Sequence, residues 1–475
     1  MNGPRQPAHP PDLRGRALWA AQAWLPGGWH ESVRLAIAAD GRWAAVEAGV
    51  PPGPDALRLD GPALPGLVDA HSHSFQRVFA GRAERRAPGH PHDDFWSWRE
   101  AMYGVARAIG PRALHAVAAQ LNVELLRGGY TQVCEFHYLH GPADGAPPGQ
   151  GEDGPLAAAL ALADAATEAG IGLTLLPALY ERAGFAQPAL RPEQRRFASS
   201  VESVCALRDA LRAAGRPQVS AGLAIHSLRA VTADSIRRLA ERMDDAPLHI
   251  HVAEQTGEVE DCLAATGRRP IEWLAAALPL DARWQLVHAT HAEPREIEAV
   301  ARSGAGVVLC PGTEADLGDG LPDLPRWLDA GVPLALGSDS QVTRDWPGEL
   351  RLLEWGQRLA LRRRNVAASA AQPATAARLF GRVLEGGAAA AGRAPWGLRP
   401  GARADLLVLD LAEPALLGVY PVRRLDALVF ASAARPFRDV LVGGRWAVRG
   451  HHHPGEAAIA ARFEAALQDL GPLGG

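Results

Sequence analysis

His71 and His73 stand one residue apart in LPGLVDAHSHSFQR (64–77), directly after an apolar run that reads as a β-strand. Alternate residues of a strand face the same way, so both imidazoles are aimed at one point, an arrangement that suits a divalent cation. A hydrogen-bonded pair in a loop would leave the same trace, so partners elsewhere in the chain must decide. Four further apolar runs end in comparable groups: GLAIHSLRAV in His226, LHIHVAEQ in His249, His251 and Glu254, LVHATH in His288, and LGSDS in Asp339. Each alone has a bland reading, as a satisfied core histidine or a helix-capping aspartate. Five strand ends carrying such groups on one rim are hard to obtain by packing alone, and together they point to a metal site.

The elements that must position these groups follow from the apolar pattern. GYTQVCEF, IGLTLLPAL, VSAGLAIH, PLHIHVAE, WQLVHAT, AGVVLCPG and VPLALGSDS alternate with Ala/Leu/Arg-rich helices, and LPGLVDAHSH in front makes eight strands. That alternation predicts an α/β fold, a parallel (β/α)8 barrel over 63–394, whose chemistry lies at the C-terminal ends of its strands. Residues 17–62 and 395–455 carry short strand-like runs, including RADLLVLDL (403–411) and RDVLVGGRWAVRG (438–450), where Gly-Gly supports a hairpin turn. These read as antiparallel strands that pair across the chain into one small β-sandwich. Residues 1–16 read as a Pro-rich disordered tail without the apolar core of a signal peptide, and 456–475 as a C-terminal helix and tail. The HHH at 451–453 reads as a surface loop.

With 475 residues, 47 % of them hydrophobic, the chain has ample material for a large core. A net charge of −4 without basic blocks gives no reason to expect nucleic acid. The most apolar stretch, near 155–180, is broken by Asp164 and Glu168 and reads as a helix followed by a strand, not a membrane span. Four scattered cysteines (Cys134, Cys205, Cys262, Cys310), with no CxxC pair, fit reduced buried thiols in the cytoplasm. The 49 basic residues are all arginine. Without lysine there is neither a Schiff-base nucleophile nor a carboxylated lysine to bridge two metals.

PGLVDAHSH, HVAE, LVHATH and GSDS together resemble the amidohydrolase superfamily in its single-metal deaminase branch. The resemblance implies His71, His73 and His251 as metal ligands, with Asp339 as a fourth, longer contact. His249 shares a strand face with His251 but lies one layer deeper, and reads as a core histidine. The other roles have a physical basis of their own. A divalent ion lowers the pKa of water bound to it towards 7. Asp339 can accept that water's proton, and His288 can orient it and stabilise the developing charge. Glu254 is placed to shuttle a proton to a leaving nitrogen. Such hydrolysis of a C=N carbon needs no organic cofactor, and the N/O ligand set selects zinc, with iron as the alternative.

Ring deaminases of this branch end strand four with a histidine, a small residue and proline, whereas this chain has HSLR. With Gln76 in HSHSFQR, FWSWREAMY (95–103) and EFHYLH, the chain from about residue 18 to 450 resembles the formimidoylglutamate deiminase family. That resemblance implies a cytoplasmic homodimer that hydrolyses a dicarboxylate amidine of histidine degradation, N-formimino-L-glutamate, to N-formyl-L-glutamate and ammonia. It also implies substrate contacts from Gln76, Arg99, Tyr138, His226 and Arg229, and arginine's planar fork suits a carboxylate. The rival readings are a ring deaminase for guanine, a pterin or an adenosine-type substrate, and a barrel that serves as a non-catalytic scaffold.

Overall fold

The computed structural model describes residues 12–84, 86, 93–143, 154–431 and 433–471. Most of the expected N-terminal tail, most of the 85–92 loop and the last four residues lie outside that set. The first and second barrel strands are Leu67–Ser72 and Tyr130–His137, the third Gly172–Leu179. The fourth, Leu223–Ser227, follows a short strand at Val219–Ala221; then come Leu248–Val252, Trp284–His288, Gly306–Leu309 and Leu334–Leu336. All neighbours are parallel, the third strand pairs with the fourth, and the ring shuts where Leu336 lies beside Asp69. Ser72 and Asp339 form one further bridge across the same seam. Strands covered on both faces need no polar alternation. Accordingly, every residue of Tyr130–His137 and Gly172–Leu179 is buried.

The helix Thr375–Ala390 lies against the first and last barrel strands, and its Gly-Gly pair explains how closely. A Cβ on Gly386 would come within 2.0 Å of the Leu334 carbonyl oxygen. His249 hydrogen-bonds the Ala390 carbonyl at 2.8 Å through Nε2 and is fully buried. It belongs to the barrel floor, as expected.

A second sheet collects strands from both ends of the chain. Its order runs Arg445–Val448, Phe437–Val442, Leu406–Leu409, Ala63–Leu64, Ala17–Leu25, Gly28–Ile37 and Trp43–Glu47. It has its own core, built from Leu18, Val33, Leu35, Leu406, Leu441 and Trp446 among others. The expectation of purely antiparallel pairing needs correction, because Leu57–Arg58 and Ala63–Leu64 both run parallel to Ala17–Leu25. Gly443 and Gly444 turn the final hairpin at φ 56° and 79°, the left-handed values a two-residue turn of this twist requires. The histidine run is a loop but not all surface: His453 is buried and hydrogen-bonds the Ala169 carbonyl, and only His452 is exposed. No described helix is long and apolar enough to cross a membrane.

Candidate active site

The barrel's C-terminal rim gathers the groups singled out above. His71 lies at the end of the first strand and His73 just past it, His226 near the end of the fourth and His251 of the fifth, with Glu254 just beyond. His288 ends the sixth, and Asp339 follows the eighth. His71 Nε2 lies 3.0 Å from His251 Nε2 and 3.4 Å from Asp339 Oδ1, and His73 Nε2 is 3.5 Å from that same oxygen. Nδ1 of His73 donates to the Phe136 carbonyl at 2.9 Å, which leaves Nε2 as a lone pair facing the cluster. Burial pushes the His71 imidazole down to about 3 and His73 and His251 below their ordinary value as well. Burial would raise Asp339, but the imidazoles of His71, His288 and His73 outweigh it and hold the carboxyl well below the usual range.

Three neutral imidazoles and one carboxylate are the protonation states that metal ligation requires. The Nε2 atoms of His71 and His251, 3.0 Å apart, can share either a proton or a metal cation between them. His71, His73 and Asp339 offer ligand atoms within 4.8 Å of one another, as do His71, His251 and His288. The donor set therefore fits a divalent metal with nitrogen preference.

His288 is oriented from both sides. Its Nε2 is 3.6 Å from Glu254 Oε1 and 3.8 Å from Asp339 Oδ2, and its Nδ1 is 3.4 Å from Glu314 Oε1. Burial disfavours the imidazolium, but Glu254, Glu314 and Asp339 outweigh it and raise the ring to about 10. Burial lifts the Glu254 carboxyl to about 7, which suits a group that both takes and gives a proton near neutrality. His288 and Asp339 adopt φ of 68° and 48°, left-handed values that cost a non-glycine residue about 1–3 kcal/mol and aim both side chains inward.

Four supporting carboxylates escaped the sequence reading. Glu314 follows the seventh strand in LCPGTEAD and also accepts from the Cys310 amide at 2.9 Å. Glu258 accepts from the Glu254 amide at 3.0 Å and so fixes where that residue leaves the strand. Glu135 takes the Ser74 amide and the Ser72 and Ser74 hydroxyls, pinning the HSHS turn. Asp69 accepts from the Ser338 amide at 2.8 Å and hydroxyl at 2.6 Å, which locks the first strand to the residue before Asp339. Asp69, Glu135 and Glu314 each show only as a carboxylate within an apolar or small-residue run, and Glu258, in QTGEVEDC, shows no such signal.

Outside the metal cluster a cleft enclosing about 730 Å³, open mouth included, is lined by Gln76, Arg99, Tyr138, His226 and Arg229. Gln76 Nε2 donates to the Tyr138 hydroxyl at 3.3 Å, and the His226 ring packs on Tyr180 with centroids 4.5 Å apart. Arg99 comes from the helix Phe95–Ala108, whose first turn is capped by Asp94. Arg99 and Arg229 both stack on Trp96, their guanidinium carbons 4.4 and 5.6 Å from its ring. Among the described residues neither arginine lies within ion-pair distance of a carboxylate and the Nε of each is buried without a hydrogen-bond partner, while the charge of Arg229 acts on the nearby Glu258 and Glu254. Two guanidiniums on the wall of one cleft have the planar fork that suits a carboxylate.

A parallel barrel with this rim defines a hydrolase built for metal-assisted attack at carbon. The chain belongs to the amidohydrolase family, whose model matches residues 63–447. A second model, the N-terminal domain of formimidoylglutamate deiminase HutF, matches residues 15–59. A formimidoylglutamate deiminase from Pseudomonas aeruginosa is 45 % identical over 96 % of this chain and 99 % of its own. An 8-oxoguanine deaminase from the same organism is 30 % identical over 86 % of this chain and 87 % of its own. A crystal structure of an amidohydrolase from Brucella melitensis superposes with a TM-score of 0.90 at 43 % identity, covering 96 % of this chain and 99 % of that one.

Proposed function

We propose that this chain hydrolyses N-formimino-L-glutamate to N-formyl-L-glutamate and ammonia. The observation that carries this reading is the pair of arginines, Arg99 and Arg229, on the wall of the metal-ligand cleft. Full-length likeness to a formimidoylglutamate deiminase supports it. His71, His73, His251 and Asp339 would hold one divalent ion, zinc on the nitrogen-rich donor set, with iron the alternative. When bound, such an ion supplies Lewis acidity and brings the ionisation of water into the neutral range.

The residues supply the rest. Asp339 takes a proton from the attacking water, and His288, held by Glu314, steadies the charge that develops as oxygen bonds to the formimino carbon. Glu254 delivers a proton to the terminal nitrogen as the carbon–nitrogen bond breaks, so water's oxygen stays on carbon and ammonia leaves. Arg229 and Arg99 grip the two carboxylates, while Gln76, Tyr138 and His226 line the path between anchor and reacting carbon. The reading extends to a cytoplasmic homodimer; four free, buried cysteines fit a reducing compartment.

The test is ammonia release from N-formimino-L-glutamate, N-formimino-L-aspartate, guanine and adenosine by metal-loaded protein. Preference for the glutamate derivative is the expected result. Faster turnover of guanine or adenosine would sink the carboxylate-anchor reading in favour of a ring deaminase.

A further inference from the structure

The segment Pro192–Phe197, PEQRRF, has the sequence of a polar surface loop, yet two of its polar side chains are among the most deeply buried in the protein. Gln194 is 0 % and Arg196 3 % exposed. Gln194 Nε2 donates to the hydroxyls of both Tyr103 and Tyr180, each at 3.1 Å, and its Oε1 accepts from the Arg191 amide. Tyr103 belongs to the helix Phe95–Ala108, and Tyr180 follows the third barrel strand. One amide therefore ties that helix to the barrel.

Arg196 completes the tie two residues on. Its guanidinium donates to the carbonyls of Ala106 and Ile109, the last turn of the same helix, and no carboxylate pairs with it among the described residues. A cation at a helix C-terminus meets the negative end of the dipole and takes up carbonyls that have no partner within the helix. The Arg196 carbonyl in turn accepts from the amides of His140 and Gly141, just past the second strand.

Arg99 lies four residues before Tyr103, hence on the same helix face. The helix's first turn is largely half-exposed, whereas Met102, Tyr103, Val105 and Ala106 are buried. Phe95 is buried at the helix start and Trp98 packs on Phe79, but the hydrogen bonds from Gln194 and Arg196 act on its second half. We infer that Gln194 and Arg196 are positioning residues that set Arg99 over the barrel mouth by bracketing the helix Phe95–Ala108. The inference rests on Arg99 as a carboxylate anchor. It assigns the bracket an effect on substrate capture and none on metal binding.

The test is steady-state kinetics on metal-loaded Gln194→Met and Arg196→Met, each alone and combined with Arg99→Met. Each bracket variant should raise KM for N-formimino-L-glutamate about tenfold, the scale of a lost buried hydrogen bond. Turnover number should stay within about twofold and metal content per chain should not change. Arg196→Lys should recover part of the loss. In the Arg99→Met background neither bracket substitution should raise KM further, because the residue they position is gone. A merely structural role would show the same rise in both backgrounds, and that result overturns the inference, as does an unchanged KM in the native background. An unchanged KM in Arg99→Met alone would overturn the anchor reading itself. If the buried substitution at 194 fails to fold, Tyr103→Phe removes the acceptor on the helix while keeping the ring under Arg99. Because Tyr103 also lines the cleft, the comparison with Tyr103→Phe in the Arg99→Met background decides: a rise in both overturns the inference.

Discussion

His251 and Glu254 are three residues apart, yet the geometry gives them separable duties. His251 Nε2 points into the imidazole cluster, whereas Glu254 faces His288 and the cleft. Glu254→Gln should therefore keep its metal and lose turnover by roughly a hundredfold or more, the scale of a general acid–base group. His251→Ala should lose metal and activity together. Metal analysis beside ammonia release separates the two, and near-normal turnover of metal-replete Glu254→Gln would remove the shuttle role. Arg229 tests specificity in the same way. Arg229→Met leaves a substrate carboxylate unpaired, at a cost of about 2–5 kcal/mol. That is roughly thirty- to several-thousandfold in kcat/KM at unchanged metal content, and lysine, lacking the planar fork, should rescue only part. An uncharged formamidine should be a poor substrate for the native protein and nearly indifferent to the substitution. Equal losses on both substrates would refute the anchor.

At the scale of elements, the barrel was legible because each strand is a short apolar run that ends in a polar group. His71, His73, His251, His288 and Asp339 could be placed from that pattern alone. Asp69, Glu135, Glu258 and Glu314 could not, because their partners depend on which residues meet across the barrel seam or in the turn beyond a strand. Gln194 and Arg196 were hidden for a related reason: a polar run reads as solvated until a helix from 90 residues earlier is known to cover it. The glycines of LFGRVLEGG show the same limit. Gly381 has nothing within 4 Å of where its Cβ would be, whereas a Cβ on Gly386 meets the Leu334 backbone at 2.0 Å. Gly381→Ala should stabilise by up to about 1 kcal/mol through helix propensity alone. Gly386→Ala gains the same propensity but must push a barrel strand away, and overpacking of this kind costs about 1–3 kcal/mol. Urea midpoints should move in opposite directions. A shift of the same sign in both would mean the helix is free to slide on the barrel.

On the scale of the whole molecule, the two sheets are joined by polar contacts, half-buried at Arg403 and buried at Trp396. Arg403, beside the second sheet, donates to Gln132 Oε1 at 2.7 Å and to the Thr131 carbonyl at 2.8 Å in the second barrel strand. Trp396 Nε1 donates to the Gly66 carbonyl at 2.8 Å, at the entry to the first. The Trp396 contact reaches the entry to the strand that ends near His71 and His73, and the Arg403 contacts reach its neighbour, so a metal bound at one end of the first strand would be mechanically continuous with the second sheet at the other. An ion that binds only the folded state stabilises it by about 4.1 kcal/mol when present at a thousandfold excess over its dissociation constant. The four proposed ligands are close together only in the folded chain, since they come from the ends of the first and fifth barrel strands and the turn after the eighth. Chelator-stripped protein should therefore melt several degrees lower than the zinc-loaded form, and zinc should restore the melting temperature to a plateau at about one ion per chain. Both forms should give a single calorimetric transition, because the second sheet is anchored to the strand that carries two of the proposed ligands. His251→Ala should melt near the stripped form and ignore added zinc. A terminal sheet that melts separately at a metal-independent temperature would break the proposed continuity, and a native melting temperature indifferent to chelation would refute the metal site.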